Sequence, residues 1–172
     1  MSERAPTPVV IVDYDPRWPA LYEAERARLV AVFGGALVEI EHIGSTSVPG
    51  LASKPTVDII AGLRDEAAVG HFLEPMASLG YHYEDLTASI PQWHLFSRRD
   101  EVSGYHVHVV PLGGEFWRRH LAFRDYLRAH PATARQYEWL KRDLAALFGS
   151  DRMGYCNAKT NFISSVEHLA LA

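Results

Sequence analysis

The stretch Glu39-Ile40-Glu41-His42-Ile43-Gly44-Ser45-Thr46-Ser47-Val48-Pro49-Gly50-Leu51-Ala52-Ser53-Lys54-Pro55-Thr56-Val57-Asp58-Ile59-Ile60 decides the fold. Ala36 to Ile43 is rich in apolar and β-branched residues and lies between Gly35 and Gly44, the signature of a strand. Gly44 to Lys54 holds two glycines, four hydroxyl side chains and a proline, which predicts a loop or one short helical turn. Thr56 to Ala61 is short and almost wholly apolar, as expected of a strand buried on both faces. Asp58 breaks that pattern. A carboxylate in a buried strand is costly unless it is paired, hydrogen-bonded or bound to a metal. The preceding loop offers backbone N–H groups, the hydroxyls of Ser45, Thr46 and Ser47, and Lys54. Small residues let backbone approach a phosphate, and a neighbouring carboxylate can share a cation with it. The competing reading is local: the hydroxyls cap a turn and Asp58 pairs with Lys54.

Outward from this centre, Val9 to Val12 predicts an edge strand, and Asp15-Pro16 predicts the start of a helix that runs to about Phe33 and stops at Gly34-Gly35. Asp65 opens a helix carrying Val69, Phe72, Leu73, Met76 and Leu79 at helical spacing, ended by Gly80. Tyr81–Asp85, Trp93–Arg99 and Tyr105–Leu112 read as strands, the last two joined by a hairpin loop that ends at Gly104. Glu115 to His130 is a helix, broken at Pro131. Ala134, Tyr137, Leu140, Leu144 and Leu147 mark the next. A last helix is capped by Asp151 and interrupted near Asn157. The order predicts one α/β (α+β) domain over residues 1–172, a mixed sheet with packed helices, preceded by a loose arm at residues 1–8.

The 172 residues suffice for one core, and 48% of them are apolar. A net charge of −4 opposes a general electrostatic grip on nucleic acid. The single cysteine, Cys156, the absence of any apolar run long enough to span a bilayer, and an N-terminus unlike a signal peptide together suit a cytoplasmic protein with no membrane partner. Oligomeric state is left open.

The run His42 to Leu51, with Lys54-Pro55 and Asp58-Ile59, resembles the signature of the GrpB-like family, assigned to the nucleotidyltransferase superfamily with a DNA polymerase beta-like core. The resemblance continues through His106-Val107-His108-Val109-Val110, Phe123 to Arg128 with Pro131, Leu140-Lys141, and Tyr155 to Lys159 with Phe162-Ile163. It implies a nucleotidyltransferase-like core followed by C-terminal helices. It also implies occasional fusion to dephospho-CoA kinase. In the superfamily pattern a Gly-Ser turn precedes Asp-x-Asp or Asp-x-Glu, a later strand supplies a third carboxylate, and two divalent ions clamp a nucleoside triphosphate. Here Gly44-Ser45 and Asp58 match, but Ile60 stands where the second carboxylate belongs. A lone carboxylate leaves little charge to hold two magnesium ions.

His106 and His108, two apart on one strand, share a face. By resemblance their strand takes the place of the third carboxylate. With Asp58, and His42 at the end of the first central strand, they could form a metal site. Imidazoles suit zinc or nickel, whereas transferase chemistry calls for magnesium or manganese. The alternative is a pair of hydrogen-bonded polar groups on an open strand face. Arg98, Arg124, Arg128, Lys141 and Lys159 could form a cationic wall that joins Lys54 and Gly44–Ser47 around phosphate, or could be solvated helix and strand faces. The expectation is therefore a metal-dependent nucleotidyltransferase or related phosphoryl-transfer enzyme, with Asp58 and Lys54 catalytic, acting on a nucleotide or other phosphorylated small molecule. The alternative is a catalytically silent nucleotide-, CoA- or metal-binding module on the same scaffold.

Overall fold

The computed structural model describes residues 8–172, so the arm expected at the N-terminus falls almost wholly outside the described residues. Helix α1 (Trp18–Phe33) leads into strand β1 (Leu37–Ile43), and the Gly44–Pro55 loop returns the chain as β2 (Thr56–Leu63). A short helix α2 (Leu73–Ser78) precedes β3 (His82–Asp85), β4 (His94–Arg99) and β5 (Gly104–Pro111). Four helices follow: α3 (Glu115–Ala129), α4 (Pro131–Phe148), α5 (Arg152–Ala158) and α6 (Thr160–Leu171). Among the described residues, five strands form one mixed sheet in the order β1-β2-β5-β4-β3. Only the β2–β5 pair is parallel.

The sheet is covered on both sides, which is why β2 is apolar almost throughout. One face carries Val57, Ile59, Ala61, Phe96, Val107 and Val109, sealed by Trp18, Tyr22, Leu29 and Phe33 of α1. On the other face, Ile43, Ile60 and Val110 pack against Trp117 of α3. The loop residues Val48 and Leu51 join Phe123, Leu127, Tyr137 and Val166 in a third cluster between α3, α4 and α6. Burial of each large apolar side chain contributes about 1.5–3 kcal/mol, so these layers hold the strands in register.

Four elements differ from expectation. The helix expected from Asp65 is a tighter 3-10 helix over Glu66–Phe72, and only Leu73–Ser78 is α-helical. Pro75 has no N–H to bond back by four residues, so the α-helix begins where Pro75 falls in its first turn. The expected strand at Val9–Val12 is reduced to one bridge, Val12 to Ser53. Helix α1 starts at Trp18 rather than at Pro16. Asp15 instead accepts hydrogen bonds from the Arg17 backbone and guanidinium. The interruption expected near Asn157 occurs at Lys159, between α5 and α6, while Asp151 caps α5 by accepting from the Gly154 N–H at 2.9 Å.

Candidate functional site

The loop after β1 lies against Asp58, and Gly44 makes this possible. It has φ of +70°, and a Cβ at this position would sit 2.6 Å from Asp58 Oδ2. Only glycine combines that backbone angle with that approach. The rest of the loop is tied down from behind. Ser47 Oγ donates to the Gly44 carbonyl at 2.6 Å. Arg128 donates twice to the Ser47 carbonyl, at 3.0 and 2.8 Å. Arg124 is buried, donates to the His42 carbonyl at 3.0 Å, and forms ion pairs with Glu41 at 2.6 Å and Asp125 at 2.7 Å. Arg124 and Arg128, expected as phosphate ligands, are therefore braces of β1 and the loop. Thr46 is buried and bonded to His42, whereas Ser45 is partly exposed and its hydroxyl lies beside that of Tyr137.

Parallel pairing of β2 with β5 sets Asp58 opposite His106 and Ile60 opposite His108. Paired residues point to the same side, so the carboxylate and both imidazoles meet on one face. Asp58 Oδ1 lies 3.1 Å from His106 Nδ1 and 3.7 Å from His108 Nε2. An ionised carboxylate only accepts, so His106 Nδ1 is the donor. Burial pushes the Asp58 carboxyl up, but the hydrogen bonds from His106 and His108 outweigh it and hold the group well below the usual carboxylate range. Trp93, just before β4, donates its indole N–H to His108 Nδ1 at 3.1 Å.

A two-cation centre does not fit these residues. Ile60 is fully buried among Ile43, Val110 and Trp117, where a carboxylate would lose its water without gaining a partner. A single cation fits better. One ligand atom each from Asp58, His106 and His108 lie within 4.8 Å of one another. His42 does not join them. It is paired with Ile59, which faces α1, and so lies on the opposite side of the sheet from Asp58. There it stacks on Tyr22 at 4.8 Å and bonds Thr46 Oγ1 at 2.9 Å, and burial pushes its pKa down to about 4, leaving it neutral.

The same parity removes Arg98 from the site. It pairs with Tyr105 on the α1 face, stacks on that ring at 4.3 Å, and forms an ion pair with buried Glu25 at 2.9 Å. Arg99, its neighbour, shares the parity of Ser97 and His106 and reaches Gly104 at the rim of the Asp58 face. Lys54 makes no ion pair with Asp58. It joins Lys141 of α4 and Lys159 of the α5–α6 break. Lys54 and Lys159 lie 5.7 and 4.3 Å from the centroid of the Tyr155 ring. Lys141 lies 4.8 Å from that of Tyr137 and donates to the Ala52 carbonyl. Burial, then repulsion from Lys159, Arg142 and Lys54, pushes Lys141 down to about 7 against the attraction of Glu138. Lys159 is lowered by burial and by Lys54, and feels the opposing charge of Asp58. Among the described residues, none of the three lysines has a carboxylate within ion-pair distance. Sequence reasoning missed Tyr137 and Tyr155 as parts of this wall. Tyr137 reads as one apolar position of a helix and Tyr155 only as the start of a run that resembles the family, and nothing local distinguishes a ring under an ammonium from a ring in a core.

A family model described as "GrpB protein" matches residues 8–168. The chain belongs to the GrpB family. A UPF0157 protein of Streptomyces coelicolor is 37% identical over 92% of this chain and 82% of its own length. YqkA, a UPF0157 protein of Bacillus subtilis, is also 37% identical, but the chain spans only 47% of it. A dephospho-CoA kinase of Mycolicibacterium paratuberculosis is 27% identical over 90% of this chain, which covers 44% of that protein. Among solved structures, the crystal structure of a conserved GrpB protein from Enterococcus faecalis superposes with a TM-score of 0.84 at 31% identity. The match covers 94% of this chain and 97% of that one. The GrpB fold is thus that of this chain, with its mixed sheet and packed helices. Among the described residues no helix is long and apolar enough to cross a membrane.

Proposed function

We propose that the Asp58 face binds a nucleotide or another phosphorylated small molecule and transfers its nucleotidyl or phosphoryl group. One observation carries this reading: Lys54 and Lys159 lie at the Tyr155 ring, Lys141 is near enough to feel both, Lys159 feels the charge of Asp58, and among the described residues none of the three lysines makes an ion pair. Repelling ammonium groups in a partly buried wall are unfavourable unless an anion completes them. In this role the partly exposed Lys54 and Lys159 grip phosphate with Lys141 buried beneath the wall, Gly44 lets the loop backbone approach it, and Ser45 supplies a hydroxyl. A hard divalent cation such as magnesium or manganese, held by Asp58 and the phosphates it arrives with, would supply charge neutralisation at the reacting group. Magnesium commonly binds through one or two carboxylates plus substrate phosphates, so a single Asp58 is compatible with this. The relatives that are dephospho-CoA kinases work on ligands of the same chemical class, which supports the reading at the level of nucleotide-like ligands.

Ile60 favours a second reading, a binding module that holds such a ligand without turnover. The two are separated by thermal denaturation of metal-stripped protein across magnesium, manganese, zinc and nickel, with nucleoside triphosphates and CoA, followed by assay of any stabilising triphosphate for consumption. A ligand at 100 times its dissociation constant stabilises the fold by about 2.7 kcal/mol, a shift of a few degrees. Stabilisation lost in Lys54→Met and Lys159→Met, with turnover lost in Asp58→Asn, supports the transferase. Stabilisation without turnover supports the module. No stabilisation by any phosphorylated ligand refutes both.

A further inference from the structure

Trp93 belongs to neither the loop nor the lysine wall, yet it acts on the Asp58 cluster through one hydrogen bond. An indole N–H can only donate. Its contact with His108 Nδ1 at 3.1 Å therefore requires a lone pair on that nitrogen. The proton of the neutral ring must then sit on Nε2, the atom 3.7 Å from Asp58 Oδ1. Trp93 and His108 also lie near-parallel, 5.8 Å apart, and Phe116 packs on both rings, at 5.1 Å from Trp93 and 5.6 Å from His108. The imidazole is thus clamped in position as well as in tautomer. A transition metal needs the lone pair of the nitrogen that faces the site, with the other nitrogen carrying the proton. In this chain the arrangement is the reverse. Binding zinc at His108 Nε2 would move the proton to Nδ1 and set it against the Trp93 N–H, donor facing donor.

We propose that Trp93 is a positioning residue that fixes His108 with its N–H toward Asp58 and thereby weakens the binding of transition-metal ions at the Asp58–His106–His108 cluster. The cluster keeps a proton where zinc or nickel would bind, and the carboxylate is left to a hard cation. This inference does not depend on whether a nucleotide binds, so its failure and the failure of the proposed function are distinguishable.

The test is calorimetric titration of zinc into the full chain as wild type, Trp93→Phe and the double variant Trp93→Phe/His108→Ala. Phenylalanine keeps the packing and removes the donor. Zinc should bind Trp93→Phe about tenfold more tightly than wild type, the worth of one buried hydrogen bond, and the gain should vanish in the double variant. The metal-free stability of Trp93→Phe should fall at the same time. A merely structural role would lower stability and leave zinc affinity equal or weaker, and that result overturns the proposal. Should Trp93→Phe fail to fold, nitrogen-15 NMR of the wild-type imidazoles reads the tautomer directly. His108 protonated on Nε2 alone supports the proposal, and a proton on Nδ1 overturns it.

Discussion

Lys141 offers the sharpest test of the idea that the cationic wall is built for a ligand at the expense of stability. The residue is 2% exposed, and its pKa is pushed from the ordinary 10.5 down to about 7, first by burial and then by Lys159, Arg142 and Lys54, against the attraction of Glu138. The folded value lies below the unfolded one, so between about pH 7 and 10.5 the unfolded chain holds a proton that the folded chain has released. Stability therefore rises with pH across this window, and the full cost of the charge is felt below it. At about 1.4 kcal/mol per pKa unit, the charged amine costs the fold about 4 kcal/mol at neutral pH. Lys141→Met removes that cost but strands the Ala52 carbonyl, which loses its donor at about 1–3 kcal/mol. The variant should be more stable than wild type by about 1–3 kcal/mol at pH 7. It should be less stable by a similar amount near pH 10, where the wild-type amine is neutral. Denaturant titrations of both proteins from pH 6.5 to 10 measure the difference. A difference of constant sign and size across that range would refute the reasoning, because it would mean Lys141 carries no buried charge to relieve.

Other perturbations separate the site from its scaffold. Gly44→Ala places a methyl group against Asp58 at a positive φ, and should lower stability by about 1–3 kcal/mol and abolish any phosphate-dependent thermal shift. Glu25→Gln removes the buried partner of Arg98 and leaves it Asp100, at 3.1 Å, as its remaining counter-charge. Denaturant unfolding should show a loss of about 1–3 kcal/mol, while any ligand-induced shift persists because Arg98 lies on the far face of the sheet. Ile60→Asp, which restores the acidic pattern of the superfamily on paper, should destabilise by several kcal/mol and create no second cation site, because position 60 is enclosed by Ile43, Val110 and Trp117. Magnesium binding that strengthens in a folded Ile60→Asp protein would show that enclosure to be wrong.

Much of the molecule was legible in short segments of sequence. Alternation along Tyr105–Leu112 placed His106 and His108 on one face and Val107 and Val109 on the other, because side-chain direction in a strand follows parity alone. Proline at 131 and glycines at 34 and 44 mark breaks that the backbone enforces locally. Pro75 carried an equally local signal, and it is what shortens the helix expected from Asp65. Parity within one strand says nothing of its relation to another. That His42 and Arg98 face α1 while Asp58 faces α3 and α4 follows from the register of β1 on β2 and of β4 on β5. That register is set by which side chains the two covering layers can bury. The meeting of Asp58 with His106 requires β5 to lie parallel to β2 at a sequence separation of 48. The lysine wall draws on a loop, the middle of α4 and the break before α6, segments that only helix packing brings together. The sequence by itself determined the strands, the glycine turn and the chemistry available at each position. Tertiary structure decided which of those groups share a space, because burial and repulsion are properties of neighbours in space rather than in sequence.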